Sequence, residues 1–173
     1  MNLDQSYYNI CNDIASRSKC LSRKIGAILV KDDIIVSVGY NGPPKGIPHC
    51  GVRHQRDIKL YSEYKELDPY FDRDQKVKVC PRQILGFKSG QGLDWCVAVH
   101  AERACLVNAA KDGIATVGTT LYMDCPTPCT PCLVEIIAAG VSEIVFTKLH
   151  YYDISAEYTL MNSPLQWRVY DFK

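Results

Sequence analysis

Two short motifs constrain this chain more than any other feature: His100-Ala101-Glu102 and, further along, Pro128-Cys129-Thr130-Pro131-Cys132. One imidazole and two thiolates form a donor set that binds Zn²⁺, and three protein ligands leave the fourth tetrahedral position open to a water molecule. Zinc lowers the pKa of such a water toward neutrality and makes it a nucleophile. Because His100 and the two cysteines are far apart in sequence, the fold must bring two segments to one point.

Glu102 adds proton transfer to this predicted metal centre. It lies two residues from His100, close enough to move protons there without being a ligand itself. Each motif alone is weak evidence, since a C-x-x-C pair is as often a structural zinc site or a redox site. The alternative interpretation is a closed structural zinc site, which needs no proton-transfer group.

Hydrophobic periodicity predicts an α/β fold around these motifs. The predicted elements are a helix over 3–17, a hairpin of strands 25–30 and 34–39, a helix over 101–111, a strand over 119–123, a helix over 131–139, a strand over 143–147, a short helix within 152–161 and an edge strand over 167–172. The strand–helix–strand order predicts a parallel pair with a right-handed crossover. Two helix N-termini then point at the predicted metal centre, where their dipoles stabilise thiolates and developing negative charge.

Composition and charge favour a small substrate. The chain has 173 residues, which suits a single domain, and its net charge of +1 offers no long-range field to attract DNA or tRNA. No apolar run approaches the length of a membrane span, and residues 1–18 do not resemble a signal peptide. The nine cysteines, with a C-x-x-C pair beside a histidine motif, favour metal binding in a reducing compartment, so we expect a cytoplasmic protein with no membrane or nucleic-acid partner.

Residues 51–95 form an inserted segment with little periodicity, which we expect to be ordered rather than a mobile lid. Four cysteines are candidates for ordering it: Cys50 and Cys96 flank the segment, Cys80 lies within it, and Cys20 precedes it. A second, structural zinc on these thiols would order a stretch too polar to build its own core. His49 or His54 could replace one of the four. For Cys11, Cys105 and Cys125 we expect small buried hydrophobes.

The residues so far resemble the deoxycytidylate (dCMP) deaminases of the cytidine-deaminase superfamily, whose metal signature is H-x-E with a later P-C-x-x-C. The resemblance covers most of residues 15–150. It rests on the two metal motifs and on Arg17-Ser18-Lys19-Cys20, Arg23-Lys24-Ile25-Gly26-Ala27 and Gly39-Tyr40-Asn41-Gly42. It implies a three-layer α/β/α sandwich with a mixed five-stranded sheet. It also implies hydrolysis of dCMP to dUMP and ammonia, which supplies thymidylate synthesis, usually in a homohexamer with dCTP and dTTP as possible effectors.

The resemblance also implies roles for single residues. His100, Cys129 and Cys132 match the catalytic zinc ligands, and Glu102 matches the proton shuttle. The implied substrate contacts are Asn41 at the sugar, Ser22, Arg23 and Lys24 at the 5′-phosphate, Ala101, and Tyr152 as the tyrosine that closes the nucleotide site. Some members carry a second zinc at positions that match Cys20 and Cys50. Ala104 departs from the asparagine that members commonly have there, a position relevant to subunit contacts and allosteric response.

Several alternatives stay open at the level of the sequence. The basic residues near position 23 could be an ordinary solvated face, and Tyr151 and Tyr152 could be core or rim aromatics. A zinc deaminase acting on dCTP, on tRNA or on single-stranded DNA would share both metal motifs. The near-neutral charge and the Gly39–Gly42 stretch argue against a nucleic-acid substrate, and Glu102 argues against a zinc scaffold without catalytic activity.

Overall fold

A computed structural model describes residues 2–74, 78–88 and 90–171 of the chain. Contacts within the chain divide it into two compact units. The first comprises Met1–Ser18, Ile25–Asn41 and Val99–Lys173, and the second comprises Lys19–Lys24 and Gly42–Ala98. The sequence interpretation of one deaminase domain over 1–173, with an insertion at about 51–95, stays a prediction.

The first unit is built on a mixed five-stranded sheet of order β2-β1-β3-β4-β5. The strands are β1 (Gly26–Lys31), β2 (Ile34–Tyr40), β3 (Thr120–Met123), β4 (Glu143–Phe146) and β5 (Gln166–Val169). The hairpin is confirmed: β1 and β2 pair antiparallel, and Asp32 and Asp33 turn the chain with φ of 50° and 61°. The parallel pairing of β3 with β4 is also confirmed, as is β5 at the edge of the sheet.

Helices cover both faces of this sheet, which gives the three layers expected from the resemblance. The α-helices in the described residues are α1 (Leu3–Ser16), α2 (Cys50–Arg56), α3 (Ile58–Leu67), α4 (Pro81–Ile84), α5 (Ala101–Lys111), α6 (Thr130–Ala138) and α7 (Ile154–Met161). On one face α1 buries Tyr7 and Cys11 against Ile28, Tyr122 and Val145. On the other face α5, α6 and α7 bury a larger core, which contains these side chains of the strands: Ala27, Leu29, Leu121, Met123, Ile144 and Phe146. The alternation along each strand therefore sends neighbouring residues to opposite layers.

The described residues of the second unit form three α-helices and a 3₁₀ helix (Leu93–Trp95) where periodicity predicted no elements. Leu60 and Tyr64 of α3 are completely buried. Arg53 of α2 forms an ion pair with Asp57 at 2.7 Å. Helices α2 and α4 are seven and four residues long, too short to show a clear repeat. Residues 75–77 and 89 of the predicted insertion lie outside the described residues.

None of the helices among the described residues has both the length and the apolar character needed to span a bilayer. All nine cysteines lie in the described part of the chain, and none of them forms a disulfide.

Gly39 allows α5 to approach β2 at the start of the helix. A Cβ atom on Gly39 would lie 2.4 Å from the Cys105 nitrogen and 2.5 Å from the Ala101 carbonyl oxygen. Backbone atoms cannot move aside as a flexible side chain can. Gly39→Ala is therefore expected to lower the free energy of unfolding by about 1–3 kcal/mol, as overpacking does, measured by urea denaturation. Gly51→Ala is the control, because the atom nearest to a Cβ there belongs to the His49 side chain, at an ordinary contact distance of 3.4 Å. Equal stability of the two variants would contradict this account.

Candidate metal and proton-transfer site

The starts of α5 and α6 bring the three predicted zinc ligands together. His100 directly precedes α5, which packs on β2 and β1, and Cys129 directly precedes α6, which follows β3. Both residues have extended backbone, so each chain segment turns into its helix at the ligand. The ligand atoms of His100, Cys129 and Cys132 all lie within 4.8 Å of one another. The described residues contain no second group of three or more such side chains within that distance.

The distances between these donors suit a tetrahedral zinc ion. The Nδ1 atom of His100 lies 3.5 Å from the Cys129 sulfur and 3.4 Å from the Cys132 sulfur, and the two sulfurs are 3.5 Å apart. Zinc bonds of about 2.3 Å to sulfur and about 2.0 Å to nitrogen place tetrahedral donors about 3.5–3.8 Å apart. A donor set of one imidazole and two thiolates with this spacing therefore fits Zn²⁺ and leaves one position open.

The charges at this site also favour a cation. Contact with Cys132 lowers the pKa of the Cys129 thiol, with help from His100, although burial opposes the shift. The same contact raises the pKa of Cys132, and burial adds to the increase. The pair therefore loses one proton easily and the second only with difficulty. A divalent ion between the sulfurs would remove that difficulty, because it stabilises both thiolates at once.

Glu102 lies beside this donor set in the first turn of α5. Its side chain is buried, with an exposed fraction of 4%. The pKa of His100 is raised first by its hydrogen bond with Cys129 and then by the charge of Glu102. The charge of Glu102 also helps to raise the pKa of Cys132, as a smaller cause than the contact with Cys129 and burial. The carboxylate is therefore within electrostatic reach of two ligands, where it can take up and release protons.

The other predicted substrate residues fall in both units. In the first unit Ala101 is buried, and the side-chain oxygen of Asn41 accepts a hydrogen bond from the Ile25 amide at 2.9 Å. Tyr152 is half-buried and meets His150 edge to face at 5.2 Å, whereas Tyr151 packs against the larger core. In the second unit the predicted phosphate contacts are Ser22, Arg23 and Lys24, and the Ser22 amide donates to the Cys20 sulfur at 3.4 Å. Their roles in substrate binding stay predictions.

The four cysteines proposed for a second metal all belong to the second unit. Burial raises the pKa of Cys50 to about 11, and the thiols of Cys80, Cys20 and Cys96 add to the shift, so all three lie within electrostatic range of Cys50. His54 is engaged elsewhere. Its Nδ1 pairs with the Tyr64 hydroxyl at 3.0 Å and its Nε2 with the Val79 carbonyl at 3.2 Å, which leaves neither ring nitrogen for a metal.

Sequence reasoning missed two polar residues near the metal ligands. Thr127 is completely buried, and Asp153 accepts hydrogen bonds from Thr130, the residue after Cys129. Burial raises the pKa of Asp153, but the hydrogen bonds outweigh burial and lower it overall. Threonine and aspartate are ordinary loop residues, so no pattern in the sequence indicated these contacts.

The comparison with known families decides what kind of protein this is. A family model described as "Cytidine and deoxycytidylate deaminase zinc-binding region" matches residues 1–148. The chain belongs to the cytidine and deoxycytidylate deaminase family. The matched range includes both metal motifs, so the predicted zinc centre is the zinc-binding region of this family.

Similar members of this family are named deoxycytidylate deaminase. The protein from Saccharomyces cerevisiae is 27% identical over 98% of this chain, which covers 45% of that protein. The protein from Mycobacterium phage D29 is 30% identical over 84% of this chain and 94% of its own length. The chain therefore spans less than half of the yeast relative and nearly all of the phage relative.

A solved structure confirms the fold expected for the family. The dCMP deaminase of cyanophage S-TIM5, in complex with dCMP and dUMP, superposes with a TM-score of 0.65 at 20% identity over 98% of each chain. The mixed sheet with helices on both faces is thus the deaminase fold that the resemblance predicted.

Proposed function

We propose that this chain catalyses the zinc-dependent hydrolysis of dCMP to dUMP and ammonia. One observation carries the proposal: the donors of His100, Cys129 and Cys132 converge with tetrahedral spacing beside the buried carboxylate of Glu102. A closed structural site would need neither an open fourth position nor a carboxylate there. The names of the yeast and phage relatives, and the nucleotides bound to the cyanophage enzyme, support dCMP as the substrate.

In this proposal the three ligands hold Zn²⁺, which supplies Lewis-acid activation of a water molecule near neutral pH. Glu102 removes a proton from the attacking water and delivers it to the ring nitrogen of the cytosine. The water oxygen becomes bonded to C4 of the ring. Glu102 then moves the remaining hydroxyl proton to the amino group, the C4–N bond breaks, and ammonia leaves. The net change is addition of one water and loss of one ammonia.

Substrate contacts follow from the matching motifs and belong to the same proposal. We assign the sugar to Asn41, the base to Ala101 and the closing aromatic to Tyr152, all in the first unit. The 5′-phosphate is assigned to Ser22, Arg23 and Lys24, because two cations and a hydroxyl suit a phosphate dianion.

An assay with a panel of substrates tests the function. The purified protein is offered dCMP, dCTP, deoxycytidine, a tRNA and a single-stranded oligodeoxynucleotide, and released ammonia is measured. We expect dCMP to give the highest kcat/KM by a wide margin. A higher kcat/KM for dCTP would favour a dCTP deaminase. A higher kcat/KM for the tRNA or the oligodeoxynucleotide would favour a deaminase that edits nucleic acids. If the zinc-loaded protein turns over none of these substrates, the result would reject the deaminase function and favour a zinc scaffold without catalytic activity.

A second, structural zinc on Cys20, Cys50, Cys80 and Cys96 is also proposed. Support comes from their location in one compact unit and from the electrostatic influence of three of the thiols on Cys50. Both ring nitrogens of His54 take part in hydrogen bonds, which favours the four cysteines, or His49 in place of one of them, as the ligands. Four thiolates are a common closed ligand set for structural zinc.

Cys80→Ser tests this second site. Cys80 is nearly buried and directly precedes α4, so a metal there would tie that helix to α2. Two zinc ions are expected per chain in the parent protein and one in the variant, measured by elemental analysis. Limited proteolysis should cut the second unit of the variant much faster, because a long polar segment that loses its metal regains chain entropy. One zinc per chain in the fully loaded parent would contradict the second site.

The homohexamer, regulation by dCTP and dTTP, and the cytoplasmic location are further parts of this proposal. Light scattering at several protein concentrations measures the oligomeric state. Adding dCTP or dTTP to the dCMP assay measures regulation. Members of the family commonly have asparagine at the position of Ala104. We expect this difference to weaken the allosteric response, so that both effectors change the dCMP saturation curve only slightly.

A further inference from the structure

Beyond the ends of the parallel strands β3 and β4, two loops continue side by side. The ligand loop (residues 124–130) follows β3 and carries Cys129. The tyrosine loop (residues 147–153) follows β4 and carries Tyr151 and Tyr152. The Thr147 amide donates to the Cys125 carbonyl at 3.0 Å, and the Thr127 amide donates to the Lys148 carbonyl at 3.1 Å. Backbone pairing thus persists for several residues after the sheet has ended.

Thr127 adds a side-chain connection between the loops. Its hydroxyl accepts a hydrogen bond from the His150 amide at 3.1 Å and donates one to the Lys148 carbonyl at 3.4 Å. The residue has no exposed surface, so water cannot easily replace these bonds. One hydroxyl therefore joins the ligand loop to two backbone groups that lie just before the tyrosines.

A third connection closes the pair of loops at their far end. The amide and the hydroxyl of Thr130 both donate to the carboxylate of Asp153, the amide at 3.0 Å. Thr130 is the first residue of α6, between the two cysteine ligands, and Asp153 directly precedes α7. The two bonds from Thr130 are charge-assisted, and such hydrogen bonds are stronger than neutral ones.

We propose that Thr127, Thr130 and Asp153 are positioning residues, which hold the ligand loop against the tyrosine loop so that the cysteine ligands and the tyrosines keep one relative placement. None of the three touches the reacting atoms. They act through Cys129 and Cys132 on one side and through Tyr151 and Tyr152 on the other. The effect on metal retention is independent of the reaction, whereas the effect on turnover rests on the proposed deaminase function.

Zinc release from the loaded protein into a chromogenic chelator tests the proposal. The relevant kinetic phase is the one absent from Cys129→Ala. Thr127→Val keeps the shape and removes the hydroxyl, and we expect release roughly tenfold faster, as is common for partners of metal ligands. Thr127→Ser keeps the hydroxyl and should restore the parent rate to within about twofold. Thr119→Val is the matched control, because Thr119 is equally buried and donates to the Thr116 carbonyl before β3.

Asp153→Ala gives a second, independent test on an exposed residue, should Thr127→Val unfold. Several-fold faster zinc release is expected there as well. In the dCMP assay both variants should raise KM and lower kcat together, since loosened tyrosines weaken binding and displaced ligands slow the reaction. Thr119→Val should change neither constant.

The outcomes separate this proposal from the function. Release by Thr127→Val at the rate of Thr119→Val, or by Thr127→Ser as fast as by Thr127→Val, would overturn the positioning role even if the parent deaminates dCMP. Faster release in Thr127→Val and Asp153→Ala, with no deamination by the parent, would support the positioning role and reject the proposed reaction.

Discussion

Glu102→Gln is expected to abolish nearly all turnover and to leave zinc bound. Glutamine keeps the shape of the side chain and removes the group that exchanges protons. A single general acid–base group contributes roughly 10²–10⁴-fold, and Glu102 is proposed to act in both halves of the reaction, so we expect kcat to fall by at least that range. The measurements are steady-state deamination of dCMP and metal content per chain.

Glu135→Gln is the control for this prediction. Glu135 lies on α6, forms an exposed ion pair with Arg103 at 2.8 Å and undergoes the same chemical change. Exposed ion pairs contribute little, so this variant should keep nearly full activity. Turnover of Glu102→Gln within about tenfold of the parent would rule out the proton-transfer role, because general acid–base groups contribute more than that.

Cys129→Ala is expected to lose one zinc ion per chain together with all measurable deamination. The variant leaves His100 and Cys132, which are two of the three donors, and Cys132 resists ionisation because burial raises its pKa even without its partner sulfur. Two donors, one of them a thiol, hold zinc poorly since the metal binds the thiolate. Elemental analysis after gel filtration measures the metal, and ammonia release measures activity.

Cys105→Ala is the matched control for the loss of a thiol near this site. Cys105 is buried in α5, and burial raises its pKa to about 12, so it stays protonated and is not expected to bind metal. This variant should retain the parent zinc content. Full zinc content and full activity in Cys129→Ala would reject the ligand assignment, and metal loss in both variants would point to unfolding, which circular dichroism would reveal.

Elements with long, clear patterns were predictable from the sequence. The helix over 101–111 was predicted with the bounds that the structure gives, and the bounds of β1 to β4 and of α6 differ by one residue. Strand β5 ends at Val169, three residues before the predicted end at 172, and residue 172 itself lies outside the described residues. These segments place apolar residues at regular intervals because one face of each is buried against the sheet. The short helices α2 and α4 have too few residues for such a repeat, so the second unit was predicted only as ordered.

The proposed catalytic residues were identifiable because the chemistry assigned to them depends on residue type and local spacing. His100, Glu102, Cys129 and Cys132 carry the donor atoms and the carboxylate that zinc hydrolysis requires, and both motifs lie at helix starts that the sequence pattern predicts. Residue type and local spacing did not predict which of the other cysteines belong to the same compact unit. Contacts between segments that are distant in sequence depend on the path of the folded chain, and hydrophobic periodicity carries no information about that path.

By itself, the sequence determined the alternation of strands and helices and indicated the proposed metal donors and proton-transfer group, since each follows from side-chain chemistry or from burial of one face. Only the tertiary structure decided which partners Thr127, Asp153 and His54 bind. The physical reason is that these side chains bond to backbone groups or to polar side chains elsewhere in the chain. Almost every residue offers a backbone amide and carbonyl, so the choice among them is made by the path of the folded chain.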